Sequence, residues 1–98
     1  MQKQDIIARL RENEAGLRAR GVLHAALFGS RARGDNRTDS DIDIMIEFAP
    51  GAPVSLWDYA GIKSDIVAFF DNKVDVVSSD SLKPHIRPAA TADAFYAF

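Results

Sequence analysis

The stretch from Leu27 to Phe48, "LFGSRARGDNRTDSDIDIMIEF", joins a Gly-Ser turn to a strand that carries two aspartates. In its last eight residues Ile42, Ile44 and Ile46 stand at alternate positions, which is the pattern of a strand with one buried face. Residues two apart on a strand lie on the same side of a sheet, so Asp41 and Asp43 project together, away from the isoleucines. The pattern therefore predicts a strand over Asp41 to Phe48 with a pair of carboxylates on the face opposite the core.

Apolar periodicity predicts the other elements. Asp5 is expected to cap the first helix and Ser55 the second, and "APGAP" before Ser55 breaks the chain. Strands that alternate with helices predict an α/β or α+β domain, and its strand order stays open. The predicted elements are a helix from Asp5 to Arg20, a strand from Val22 to Phe28, a helix from Ser55 to Phe70, a strand from Lys73 to Ser79, and a third helix from Asp80, interrupted by Pro84 and Pro88.

The second predicted helix has an apolar face with a period of about 3.6 residues. We expect that face to pack on the sheet, and Trp57 to serve helix packing as well. The residues at this period are Leu56, Tyr59, Ile62, Ile66 and Phe69.

The composition is that of an ordinary globular protein, with 98 residues, 47% hydrophobic and 27% charged, which predicts a single domain over 1–98. A net charge of −2 argues against strong nucleic-acid binding. The chain has no cysteine, which excludes a disulfide scaffold and a cysteine-based zinc site. No signal-peptide pattern or membrane-length apolar run is present, so a cytoplasmic location is expected.

The paired acids point to metal chemistry. Two carboxylates within a few ångströms repel each other, so one of them should have a raised pKa unless a positive charge lies nearby. A hard cation such as Mg²⁺ relieves that repulsion and keeps coordination positions open for phosphate. Asp75, in "VDVV", offers a third carboxylate if its strand neighbours the first, and three carboxylates can hold two metal ions. The alternative is a solvated strand face with ordinary surface acids.

The Gly-Ser turn follows the predicted strand that ends at Phe28. Gly29 permits a tight turn and a close backbone approach, and Ser30 can cap a short helix whose N–H groups face an anion. Arg31 and Arg33 add positive charge, and Gly34 can end the turn. The alternative is a common strand–turn–helix corner with solvated arginines.

Taken together, G-S-x10-D-x-D followed by a V-D-V strand resembles the minimal nucleotidyltransferase (MNT) members of the polymerase-β-type nucleotidyltransferase superfamily. The resemblance covers nearly the whole chain and implies a small mixed sheet flanked by helices. It implies that Asp41, Asp43 and Asp75 are catalytic and ligate Mg²⁺. Gly29 and Ser30 would hold the β- and γ-phosphates of ATP, with Arg31 and Arg33 beside them as further nucleotide-binding residues.

The function that this resemblance implies is the transfer of AMP from ATP to a hydroxyl with release of pyrophosphate. MNT proteins are similar to antitoxins that silence a HEPN-domain toxin by adenylylating a tyrosine, in type VII-like toxin–antitoxin modules. A chain this short has little room for an acceptor-binding domain, which favours a partner protein as the acceptor. Two alternatives stay open, namely a binding module that blocks a partner by contact alone and a transferase that acts on a small molecule.

The remaining residues point less clearly to a function. His24 and His85 are expected to be structural or on the surface. The aromatic cluster of "DAFYAF" is either an interface, part of the core, or a final strand; it comprises Phe95, Tyr96 and Phe98.

Overall fold

The computed structural model describes residues 2–34, 41–81 and 92–98, and within them four strands form one sheet. The strands are β1 (Val22–Phe28), β2 (Ile42–Phe48), β3 (Val74–Ser78) and β4 (Phe95–Tyr96), in the order β3-β2-β1-β4. β1 runs antiparallel to both β2 and β4, whereas β2 and β3 are parallel. The small mixed sheet that the sequence led us to expect is thus confirmed.

The helices of the described residues are α1 (Lys3–Glu12), α2 (Glu14–Ala19), α3 (Ser30–Arg33) and α4 (Leu56–Ala68). The single helix predicted from Asp5 to Arg20 is wrong, because it divides at Asn13. The Asn13 side chain donates a hydrogen bond of 2.9 Å to the carbonyl of Arg9, and such local bonding by asparagine competes with helix continuation. Asp5 is not the cap either: it lies inside α1 and accepts a hydrogen bond from the Gln2 backbone N–H at 2.9 Å.

The core lies on one face of the sheet, between the strands and the helices. The three isoleucines of β2 are fully buried there, as predicted, and Leu27 and Val76 of the neighbouring strands join them. A β-bulge between Val22 and His24 shifts the alternation of β1 by one residue. The isoleucines are Ile42, Ile44 and Ile46.

α4 begins at the predicted cap. The Ser55 hydroxyl accepts from the Asp58 N–H at 3.0 Å, and the Asp58 carboxylate accepts from the Ser55 N–H at 3.0 Å, which completes a capping box. Ile62 and Ile66 are buried, as expected. Tyr59 also packs as predicted, with its ring edge-on to Phe48 at 5.7 Å between centroids.

The packing predicted for Leu56 and Trp57 is wrong. Leu56 is 81% exposed and Trp57 is 86% exposed, so neither side chain contributes to the core. Residues are spaced by about 100° around a helix, so Trp57 lies on the side of α4 that faces away from Ile62 and Ile66. Leu56 lies on the flank of α4, at its first residue, where the helix extends beyond the core.

The third helix predicted from Asp80 appears in the described residues only as a 3₁₀ turn, Ser79–Ser81. Pro84, His85 and Pro88 lie outside the described residues. The C-terminal aromatic cluster supplies the final strand β4, which is one of the alternatives given above. None of the helices described, over 2–34, 41–81 and 92–98, is both long and apolar enough to cross a membrane.

Candidate active site

The structure brings the three predicted acids to one end of the sheet. β2 and β3 lie side by side and parallel, in a register that places Asp75 directly beside Asp43. Asp41 stands just before β2, two residues upstream of Asp43, and therefore projects from the same face. Asp41 and Asp43 are half-buried and Asp75 is exposed. The sequence predicted that Asp75 would join the other two acids if its strand lay beside theirs, and β3 does lie beside β2.

Electrostatics single out Asp43 among these acids. Burial raises the pKa of the Asp43 carboxyl above its ordinary value, and the neighbouring carboxylates of Asp75 and Asp41 raise it further. Arg33 acts in the opposite direction and lowers it. The raised pKa expected for one acid of the pair is therefore present, and burial is its largest single cause.

Gly29 connects the Gly-Ser turn to these acids. β1 ends at Phe28, which pairs with Asp43 across the sheet, and Gly29 follows with φ +76°, a conformation that favours glycine. A Cβ atom placed on Gly29 would collide with Oδ2 of Asp43 and would lie 3.2 Å from its Cγ. The backbone of the turn therefore lies directly against the Asp43 carboxylate, and the two halves of the motif form one site.

The short helix α3 begins at Ser30, but Ser30 is not its cap. Gly29 occupies the cap position and no side chain caps this helix, so the capping role predicted for the Ser30 hydroxyl is wrong. The physical reason is that the chain turns at Gly29, which adopts a positive φ. Ser30 therefore occupies the first helical position instead of the cap position. Gly34 ends α3 in the left-handed conformation, with φ +83°, as predicted.

The two arginines of α3 lie in different surroundings. Arg31 is only 5% exposed and has an interaction partner within the protein, so the alternative of a solvated arginine is wrong for it. The Arg33 side chain is 47% exposed, and its Nη1 lies 3.6 Å from Oδ2 of Asp93. Since Arg33 also lowers the pKa of Asp43, its charge acts on the acid cluster.

The chemistry of the acid cluster fits a hard divalent cation. Its potential ligands are carboxylate oxygens, and a cation would relieve the repulsion among Asp43, Asp75 and Asp41 that adds to the effect of burial on the pKa of Asp43. As placed here, the acids do not form a closed ligand set: in the part of the chain that the structure describes, no group of three or more His, Cys, Asp or Glu side chains is arranged to hold a metal ion. The cluster has the ligand type for Mg²⁺ without the final ligand geometry.

The other end of the same face carries His24, opposite Glu47. Its Nδ1 lies 3.2 Å from the carbonyl oxygen of Phe98, its Nε2 lies 3.8 Å from Oε2 of Glu47, and its ring meets Tyr96 edge-on. These contacts tie β1 to β2 and to the C-terminal segment, which agrees with the structural role expected for His24.

Sequence reasoning missed one functional contact, between Gly29 and Asp43. The only available signal in the sequence was that the Gly-Ser turn and the paired aspartates occur together, because their separation along the chain does not give a distance in space.

The fold and the site together define a class of protein. In this class a small mixed sheet carries an acid cluster shared by two parallel strands, and a glycine turn lies against that cluster. This arrangement is suited to transferring a phosphorus-containing group with the help of a metal ion.

Comparison with known proteins identifies the family within this class. Residues 6–95 match the nucleotidyltransferase domain family, and the chain belongs to it. The chain is accordingly a nucleotidyltransferase, as the sequence indicated.

Individual relatives agree with this assignment. The chain is 32% identical over 94 residues to the protein adenylyltransferase MntA of Thermococcus cleftensis, covering 95% of this chain and 93% of that protein. A solved minimal nucleotidyltransferase structure superposes with a TM-score of 0.75 at 34% identity, covering 97% of this chain and 95% of the other. The fold is also similar to that of a toxin–antitoxin structure with AMP-PNP, with a TM-score of 0.68 at 20% identity, covering 100% of this chain and 73% of that one.

Proposed function

We propose that this chain is a Mg²⁺-dependent adenylyltransferase that transfers AMP from ATP to a tyrosine hydroxyl of a partner HEPN toxin and so acts as its antitoxin in the cytoplasm. The observation that carries the proposal is the close packing of the Gly29 backbone on Asp43, beside Asp75. This packing places a turn suited to phosphate next to carboxylates suited to a metal ion. Such an arrangement is what nucleotidyl transfer from a metal-bound triphosphate requires.

Each residue of the site has a proposed role. Asp41, Asp43 and Asp75 hold Mg²⁺, which when bound neutralises charge on the triphosphate and on the departing pyrophosphate. Gly29 and Ser30 position the β- and γ-phosphates through the turn. Arg31 and Arg33 belong to the proposed nucleotide site as well, and the effect of Arg33 on Asp43 supports its place there.

The transfer itself exchanges one P–O bond for another. The acceptor oxygen bonds to the α-phosphorus of ATP, the bond between that phosphorus and the bridging oxygen to the β-phosphate breaks, and pyrophosphate leaves. The acceptor proton goes to Asp75, whose exposed carboxylate is open to an incoming side chain. Since the acids lie on the sheet face opposite the helices, the acceptor approaches from that side.

Two comparisons support the acceptor and the partner. The relative from Thermococcus cleftensis is named as a protein adenylyltransferase, which favours a protein acceptor. One structure of similar fold is a toxin–antitoxin assembly with an ATP analogue, which supports ATP as the nucleotide and a toxin as the partner. The HEPN identity of that partner and its tyrosine come from the resemblance in the sequence.

A transfer assay tests the proposal. The purified chain is mixed with Mg²⁺, ATP labelled at the α-phosphate and the partner protein encoded beside it, and label on the partner is measured. Transfer is expected with the wild type and lost in Asp43→Asn. Asp71→Asn is the matched control, because Asp71 is an exposed aspartate in the turn before β3, and it should transfer label at the wild-type rate.

The same assay separates catalysis from inhibition by contact. If no label moves, and the wild type and Asp43→Asn suppress the partner's toxicity equally, the transfer proposal is wrong. Nucleotide binding gives an independent reading: Mg²⁺ and ATP together should raise the melting temperature, because a ligand that binds only the native state stabilises it. No shift at saturating ligand would contradict an intact nucleotide site.

A further inference from the structure

The outer face of α4 lacks the charges that cover other helices of this protein. On α1, the exposed residues include Asp5, Arg9, Arg11 and Glu12. On α4, the residues that face away from Ile62 and Ile66 are all uncharged, and most are apolar. They are Trp57, Ala60, Ser64, Val67 and Ala68. Together with Leu56, which lies on the adjoining flank of the first turn, they are here called the α4 stripe, and all six are exposed.

The α4 stripe is more apolar than the surface of a monomer requires. Trp57 is 86% exposed, Leu56 81% and Val67 41%. A fully buried tryptophan removes roughly 200 Å² from water, so Trp57 and Leu56 alone expose several hundred square ångströms. The largest contiguous apolar patch on a protein surface is often of about this size and is often functional.

The stripe is also held rigidly. The capping box of Ser55 and Asp58 fixes the first turn of α4, where Leu56 and Trp57 lie. Ile62 and Ile66 anchor the opposite side in the core. A tryptophan presented on a fixed helix loses little conformational freedom when it is buried, which is a property of residues that dominate binding energy.

We infer that the α4 stripe binds a second copy of this chain, with the two α4 helices antiparallel about a two-fold axis. The distribution of side-chain size along the stripe favours this antiparallel pairing. The large residues Leu56 and Trp57 stand at the start of the helix and the small residue Ala68 at its end, so antiparallel pairing places large against small at both ends. Ala60 and Ser64 at the centre let the two helices approach closely.

The absence of charge on the stripe also favours a second copy as its partner. The stripe carries no charge, and a second copy presents an equally uncharged face to it. The charges at its rim already have partners within the chain: Arg20 pairs with Asp65, Asp58 accepts the Ser55 N–H, and Lys63 lies 5.3 Å from the centre of the Tyr59 ring. Symmetric association therefore buries no unpaired charge, which would be costly.

The position of the stripe on the fold is compatible with a dimer of active chains. α4 packs on the sheet face opposite the acids, so a copy bound there does not approach Asp43 or Asp75. A protein that delivers a hydroxyl to the acids must approach the other side of the sheet. The acceptor is therefore a poor occupant for the stripe, whereas a back-to-back dimer leaves both acid faces open.

The available area suits a weak dimer that forms as concentration rises. The helix of 13 residues is about 20 Å long and 10 Å wide, and with its large side chains it offers on the order of half of the roughly 800 Å² per partner in a typical stable interface. The contacts of this dimer do not involve the acid site, and only the exclusion of the acceptor from the stripe rests on the nucleotidyl-transfer proposal.

Light scattering after size-exclusion chromatography tests the inference. Over a concentration series, the wild type should show twice the mass of one chain. Ala60→Glu, which places a charge at the centre of the stripe, should be a monomer with unchanged circular dichroism. Ala15→Glu is the matched control, because Ala15 is exposed on α2 outside the stripe, and it should remain a dimer.

Crosslinking gives a second test that does not depend on Ala60→Glu. The chain has no cysteine, so Ser64→Cys introduces a single thiol close to the proposed two-fold axis. It should form an intermolecular disulfide on oxidation, and Ala15→Cys should not. A wild type that is monomeric throughout, a dimer that persists in Ala60→Glu, or a monomer whose stripe binds only a different protein would each overturn the inference.

Discussion

The two faces of the sheet are built from the same strands and carry opposite chemistry. On the helix-covered face Ile42, Ile44 and Ile46 are fully buried, and burial stabilises them. On the other face Asp43 stands between Phe28 and Asp75, and burial raises its pKa and so disfavours its charged form. One face contributes to the stability of the fold, whereas the other holds charge at a cost to that stability.

This difference shows how a small domain can carry a demanding site. Alternation along β2 places each aspartate next to an isoleucine in sequence and on the opposite side of the sheet in space. The isoleucines fix the strand, so the acids gain a rigid position without belonging to the core. Substitutions on the two faces should therefore separate activity from stability.

The largest expected effect is on activity, from Asp43→Asn. We expect nucleotidyl transfer to fall by about two to three orders of magnitude, the size typical of losing one electrostatic contribution to a transition state. The free energy of unfolding should not fall, because the substitution removes a carboxylate whose charge the fold disfavours. Initial rates and urea denaturation measure the two quantities, and a variant that is inactive because it has unfolded would contradict the separation.

The reverse effect is expected from Ile44→Ala on the core face. Ile44 is fully buried, so removing most of its side chain should lower the free energy of unfolding by about 2–5 kcal/mol. The rate per folded molecule should stay near that of the wild type, since Ile44 faces away from the acids. Val77→Ala, on the half-buried opposite face of β3, is the control and should cost less.

Gly29→Ala tests the point where the turn meets the acid face. It combines a positive φ with a collision against the Asp43 carboxylate, and we expect a loss of roughly 1–3 kcal/mol of stability together with most of the activity. Gly34→Ala is the matched control, because Gly34 has φ +83° but nothing within 4 Å of an added Cβ. In the Asp43→Ala background, Gly29→Ala should lower the free energy of unfolding by less than it does in the wild-type background. Equal losses of stability in the two backgrounds would show that the contact between position 29 and Asp43 does not matter.

The smallest expected effect is a pH dependence of stability. Because the folded pKa of Asp43 is raised, the folded state holds this proton more tightly than the unfolded chain does. The unfavourable contribution of Asp43 should therefore appear as pH rises from the ordinary pKa of aspartate through the raised one, and stay constant above it. The stability difference between Asp43→Asn and the wild type should grow over this window, and a difference that does not vary with pH would contradict the assignment.

Much of this fold was predictable because it depends on short-range pattern. The bounds of β1 were predicted to the residue, and the alternation of β2 identified both its buried isoleucines and its projecting acids. Ser55 was identified as a cap because a serine before an apolar periodic run offers a local hydrogen bond to the first turn. These features depend on neighbours within a few positions along the chain.

The errors arose where packing or competing local bonds decided the outcome. Asn13 ended α1 through a bond to the Arg9 carbonyl, inside a run that otherwise has helical periodicity. Leu56 and Trp57 match the composition of a packed helix, yet both are exposed: Trp57 by its angular position on α4, and Leu56 by its place at the first residue of the helix. Periodicity alone does not identify the apolar residues of a helix that reach the core.

The sequence by itself determined the strand that carries Asp41 and Asp43, the turn at Gly29 and the family to which they belong, because these are short motifs with local physical meaning. Only the tertiary structure decided that β3 lies beside β2 in the register that pairs Asp75 with Asp43, and that the Gly29 backbone lies against the Asp43 carboxylate. These contacts join segments that are distant along the chain. Their distances are fixed by how the helices and strands pack around one core, a property of the whole domain.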